Sequence, residues 1–223
     1  MEPGALPRVH ALVDWQDAVV RDWHRDPVPT EAALERRGWA EGPPGHGLGP
    51  AIGREHLTNI RLWHEEDEAR RPDVGDPAIA AVKRRIDGLN QRRNDLIEAI
   101  DEALAATLED LAVEPRDGCR LHSETPGAIV DRLSILALKV FHMREEAERT
   151  DASPDHRREC AGRLAVLERQ RADLAGCLAD LQRELTAGRA RFRTYRQFKM
   201  YNDPETNPAL RAARRAGGPR EDA

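Results

Sequence analysis

Residues 53–71 read GREHLTNIRLWHEEDEARR. Wound into a helix at about 100° per residue, this stretch stacks His56, Asn59, Trp63, Asp67 and Arg70 on one face. An ordinary amphipathic helix would carry Leu, Ile and Val there; this one carries an imidazole, an amide, an indole, a carboxylate and a guanidinium. If the face turns inward, every polar group needs a partner, since an unpaired one costs about 1–3 kcal/mol and an unpaired charge more. The stretch is therefore either the core of a binding or chemical site or a solvated charged face with Trp63 as a lone anchor.

Upstream, Leu12, Val13, Trp15, Val19, Val20 and Trp23 recur at helical spacing, and Pro27 and Pro29 end the run. The spacing predicts a first helix over 9–23. Residues 31–37 add a short turn. Residues 38–49, GWAEGPPGHGLG, are too rich in Gly and Pro for a regular element and are expected to form a connector or a lid.

Downstream, Pro72 stops the organising helix, and Asp76 with Pro77 opens a long helix over 77–111 as N-cap and first residue. Its apolar stripe is Ile79, Val82, Ile86, Leu89, Leu96, Ile97, Ile100, Leu104 and Leu108. Asp87, Gln91, Asn94, Glu98 and Asp101 form the face expected to be wet. Arg93 falls near the apolar side and needs an acidic partner from another helix.

After a linker over 114–121, Ser123 or Thr125 can cap a helix that Pro126 begins and that runs to about residue 149. Its core face is Val130, Leu133, Leu136, Ala137, Val140 and Phe141. The other face stacks Asp131, Ile135, Lys139, His142 and Glu146. Asp131 and His142 are three turns apart, roughly 16 Å, so each can meet a neighbouring helix but not the other.

Ser153-Pro154 starts the last long helix, whose narrow seam is Cys160, Leu164, Leu167, Leu174, Leu178, Leu181 and Leu185, interrupted at Arg171 and closed by Gly188. The seam serves either antiparallel packing within the chain or a coiled-coil homodimer. In 189–208 the aromatics Phe192, Tyr195, Phe198 and Tyr201 fall three apart, with Arg193, Arg196 and Lys199 as a second row. Either the cations face an anion such as phosphate, or the aromatics fill the core and the cations pair with acidic helices. Residues 202–208 carry turn chemistry, and 209–223 are expected to be a flexible tail.

The chain's 223 residues are enough for a real core, and 35 basic against 40 acidic residues, net −5, argue against a general nucleic-acid binder. Helix formers dominate and only 4% of residues are aromatic. The fold class expected is all-α, a single-domain bundle of five or six helices with long antiparallel hairpins over 1–208. Cys119, Cys160 and Cys177 lack CxxC or CxxH spacing, so no disulfide framework or structural zinc site is implied. No stretch reaches the ~20 apolar residues of a membrane span, and 1–20 lack a signal-peptide pattern. The cytoplasm is the expected location.

Glu-x-x-His pairs, Gly-rich phosphate loops, GxSxG and HExxH are all missing from the sequence. A metal site of scattered ligands stays open, with His64 and Asp67, and His142 and Glu145 or Glu146, as donors to one metal. So does general acid–base chemistry by His56, His142 and the carboxylates.

The segments LWHEEDEAR (62–70), LNQRRNDLIEAID (89–101), SETPGAIVDRLSILALKVFHM (123–143) and YRQFKMYNDPETNP (195–208) resemble the bacterial domain of unknown function family 4254. The resemblance covers about 53–208, with 51–208 as the family core behind an N-terminal helix and loop. His122 stands where the family commonly has Asn. Matching pattern residues are His56, Asn59, His64, Asp67, Arg70, Asn94, Glu98, Glu124, Asp131, His142, Lys199 and Asn202. The resemblance implies a companion of cell-envelope sugar transferases and no established activity.

Three functional expectations follow. The first is handling of a sugar or nucleotide-sugar in envelope glycan synthesis, with His56, Asp67 and His142 near the chemistry. Its binding residues would be Asn59, His64, Arg70, Glu124, Asp131, Arg196, Lys199 and Asn202. The second is a non-catalytic partner of a glycosyltransferase, whose polar cluster is a structural ion network. The third is a metal- or haem-dependent oxygenase with His56, His64 or His142 as ligand. No metal ligand set is assigned, the cofactor is left unknown, and a homodimer is an open possibility.

Overall fold

The computed structural model describes residues 6–25, 46–198, 203 and 205–216. Among these, six helices carry the fold: α1 (Val9–Trp23), α2 (Leu48–Glu68), α3 (Asp76–Asp110), α4 (Pro126–Glu148), α5 (Pro154–Thr186) and α6 (Pro208–Ala216). The expected turn at 31–37, and the loop expected at 38–49 as far as residue 45, lie outside the described residues. Two hairpins, α2 with α3 and α4 with α5, make the most extensive contacts, and α1 lies against α4 and α5. The chain is an all-α single-domain bundle.

Helix ends follow capping chemistry where the sequence supplies it. Thr125 accepts from the Ala128 amide and Ser153 from the His156 amide, with Pro126 and Pro154 in the first turns. Two starts differ from expectation. Helix α2 begins at Leu48, because Pro50 in its first turn sits where the backbone amides have no intrahelical partner anyway. Helix α3 is capped by Gly75 rather than Asp76, which lies inside the first turn.

The main core joins Leu12, Ile52, Ile100, Leu104, Ile129, Leu133, Leu178 and Leu181. The α5 seam thus packs within the chain: Leu174, Leu178, Leu181 and Leu185 are buried there and are not free for a coiled-coil partner. Arg171, which interrupts the seam, is buried too, donating to the Asp17 carboxylate at 2.5 Å and the Val13 carbonyl at 3.0 Å.

Two glycines set backbone approaches. At Gly127 a Cβ would stand 2.6 Å from the Ile97 carbonyl, so α3 and α4 cross there only because it is absent. At Gly188, φ +67°, α5 closes with the Gly188 amide on the Leu185 carbonyl and the Arg189 amide on the Glu184 carbonyl. The chain then runs parallel to the linker as a two-residue bridge, β2 (Ala190–Arg191) on β1 (Arg120–Leu121), which the helical reading did not include.

The segment 192–198 is irregular rather than helical, so spacing by three does not make a core row there. Phe192 packs on the core, but Tyr195 and Phe198 are 47% and 85% exposed. Beyond it, Pro208–Ala216 forms α6 where a frayed tail was expected.

Candidate functional site

Helix α2 carries its polar face into the bundle and out again. At the buried end, His56 is fully enclosed. Its Nε2 lies 3.1 Å from the Gln16 carbonyl and its Nδ1 2.8 Å from Ser134 Oγ. A carbonyl only accepts, so Nε2 carries the proton and Nδ1 accepts from the serine hydroxyl. Burial drives the imidazole pKa down to about 3, which keeps the ring neutral.

One turn on, the Asn59 amide donates to Ser134 Oγ at 3.0 Å, to Asp131 Oδ1 at 3.0 Å and to Glu55. Arg93 of α3 closes the chain with a two-pronged grip on the Asp131 carboxylate, Nε to Oδ1 at 2.5 Å and Nη2 to Oδ2. The expectation that Arg93 needs an acidic partner from another helix is met.

Two buried carboxyls here cannot both ionise. Burial, and then the neighbouring Asp131 charge, push Glu55 well above the usual carboxylate range, so it holds a proton and bonds to Asp131. Burial also opposes ionisation of Asp131, but the Arg93 bonds outweigh it and hold that carboxyl below its usual range. The result is a continuous polar chain from Gln16 on α1 through α2 and α4 to Arg93 on α3. Glu55 and Ser134 were not singled out in the sequence; only the phase of Glu55, four residues before Asn59, could have marked it.

Above this network lies a groove of about 340 Å³ lined by Asn59, Trp63, Asp67, Arg70, Asn90 and Arg93 among others. Arg70 pairs with Glu66 at 2.8 Å on its exposed rim. On the other side of Trp63, the imidazole of His142 stacks on the indole at 4.9 Å, and His24 and His64 complete a ring cluster with it.

The remaining predicted residues fall elsewhere. Glu124 pairs with Arg132 at a separate cleft between α4 and α5. Arg196 pairs with Glu98 and Glu102 of α3, the cation-to-acidic-helix arrangement. Asp101, expected on a wet face, is 2% exposed and accepts from the Gly127 amide at 2.7 Å. Burial raises its pKa to about 6. Lys199 and Asn202 lie outside the described residues. The structure thus brings Asn59, Asp67, Arg70 and, through Arg93, Asp131 to one groove. His64 and His142 stand behind Trp63, His56 is sealed beneath, and Glu124 and Arg196 lie apart.

No helix among the described residues is long and apolar enough to cross a membrane. The profile of a family described as "Protein of unknown function (DUF4254)" matches residues 50–194, more than half of the chain. No curated protein and no solved structure matches it significantly.

Proposed function

The chain belongs to that family, whose description names no activity, and from its own side chains we propose that it binds a sugar or nucleotide-sugar in the groove that α2 and α3 form with α4. The observation that carries the reading is the convergence of Trp63, Asp67, Asn90, Arg70 and Arg93 on one open cleft. An indole offers an apolar face to the C–H face of a pyranose ring. Carboxylate and amide groups meet its hydroxyls, and guanidinium groups suit a diphosphate. The volume falls within the range of small-ligand sites.

The buried network gives this groove a rigid floor, since Asn59 and Arg93 belong to both. In this reading Asp67, on the groove lining, is the group that can exchange a proton with the ligand, while His142 backs the Trp63 indole and His56 holds the floor. The setting is cytoplasmic envelope glycan synthesis, with a glycosyltransferase giving or receiving the ligand.

The test is ligand-observed NMR and calorimetry of the purified chain with a panel of UDP- and GDP-sugars and the free nucleotides. Binding at a Kd of about 1 mM or tighter, weakened at least tenfold by Trp63→Ala in a folded protein, is the expected result. Binding that ignores Trp63→Ala and Asp67→Asn, or silence across the panel, would move the function to the interaction-module reading.

A further inference from the structure

We propose that His24, His64 and His142 form a binding site for a divalent first-row transition-metal ion, with each Nε2 as a ligand atom. Three elements bring the rings together: His24 at the C-terminal cap of α1, His64 in α2 and His142 in α4. The ring centroids stand 5.1 Å (His24 to His64), 4.9 Å (His24 to His142) and 6.3 Å (His64 to His142) apart. Around a tetrahedral ion with metal–nitrogen bonds of about 2.0–2.1 Å, imidazole centroids are about 5 Å apart. Both separations from His24 match that size, while His64 and His142 stand farther apart and must close on the ion.

Hydrogen bonds assign the lone pairs. His24 Nδ1 lies 2.8 Å from the Val20 carbonyl and His142 Nδ1 lies 2.9 Å from Glu145 Oε2. Both partners only accept, so each Nδ1 carries the proton and each Nε2 of the neutral ring is an acceptor. The Nε2 atoms of His24, His64 and His142 are all buried, and none has a hydrogen-bond partner. Metal-bound histidines characteristically donate the second ring N–H to a carbonyl or carboxylate, the arrangement His24 and His142 already have.

His64 and His142 are both half-buried. Asp67 acts electrostatically on both rings and supplies compensating charge. Among the described residues no three donor groups already sit at ligand spacing, so binding turns the rings about their side-chain torsions with the helices in place. His64 also lines a cleft of about 640 Å³ that carries Arg61 and Arg92 beside Glu65 and Glu68. The imidazole set favours zinc, cobalt or iron over Mg²⁺ or Ca²⁺, which require oxygen cages.

The experiment titrates Co²⁺ into the full chain, free of any histidine tag and prepared without chelators, and follows the visible absorption of nitrogen-bound Co²⁺. One equivalent, displaced by Zn²⁺, is the expected stoichiometry. His64→Gln and His142→Gln should each weaken it at least tenfold with the helical circular dichroism retained, whereas His156→Gln, on the surface of α5, leaves it unchanged. Absence of the band in the wild-type chain, or full-affinity binding in a folded His64→Gln variant, overturns the proposal. No sugar is present in this measurement, so its outcome is independent of the groove reading.

Discussion

The indole of Trp63 and the imidazole of His142 lie 4.9 Å apart at 9° between planes, a stack that joins α2 to α4 where groove and histidine cluster meet. Trp63 is half-buried, so Trp63→Ala should cost about 2 kcal/mol in urea unfolding through lost apolar contact. Asp67→Asn, on the groove lining, should stay within about 0.5 kcal/mol. Several kcal/mol lost in Asp67→Asn would place that carboxylate in the structural network instead.

Arg93 and Asp131 should behave in the opposite way. Removing one partner of a buried pair leaves the other charge uncompensated, at a cost of about 3–5 kcal/mol. Asp131→Asn and Arg93→Met are each expected in that range, and their combination should cost less than the sum. Additive single effects in equilibrium unfolding would mean the pair is solvated.

How much of this was legible divides along physical lines. Helix positions follow from apolar spacing and from caps such as Thr125-Pro126 and Ser153-Pro154, which are local signals. The phase of Arg93 even showed that it needed an acid. A helical wheel gives the face of a residue but not the neighbour it meets, so Ser134 gave no sign of joining Asn59 and Glu55 only its phase, four residues before it. Asp101 lies on the charged phase of α3 and is buried only because Gly127, 26 residues away, brings α4 against it. His24 sits past the end of α1, off any stripe, and the aromatic row from Phe192 was read as a face in a segment that is not helical.

Gly127→Ala tests that helix crossing directly. The added Cβ would meet the Ile97 carbonyl at 2.6 Å and Asp101 Oδ1 at 2.8 Å, and the backbone atom cannot rotate away. A loss of about 1–3 kcal/mol is expected from the forced separation of α3 and α4. Gly162→Ala, with open space around its Cβ and on the outer side of α5, should instead be neutral or stabilising. Equal effects at the two positions in thermal unfolding would rule out close approach as the cause.

His56 and Asp101 should pull stability in opposite directions as the pH falls. His56 has a folded pKa near 3, below its ordinary 6.5, so the unfolded chain binds the proton first. Its stabilisation is present above pH 6.5 and is lost as pH falls toward 3, by about 5 kcal/mol in full. Asp101 has a folded pKa near 6, above its ordinary 3.8, so the folded chain binds the proton first. Its contribution is present below pH 3.8 and is lost as pH rises through 6, by about 3 kcal/mol. Urea unfolding at pH 4 and pH 8 separates the two. Asp101→Asn, which resembles the protonated carboxyl, should improve relative to wild type by about 2 kcal/mol on going from pH 4 to pH 8. The deficit of His56→Gln should shrink by about 3 kcal/mol between pH 7 and pH 4, because the wild type alone carries the imidazole whose protonation favours unfolding. A deficit independent of pH would show that His56 already reaches solvent and titrates in the folded chain.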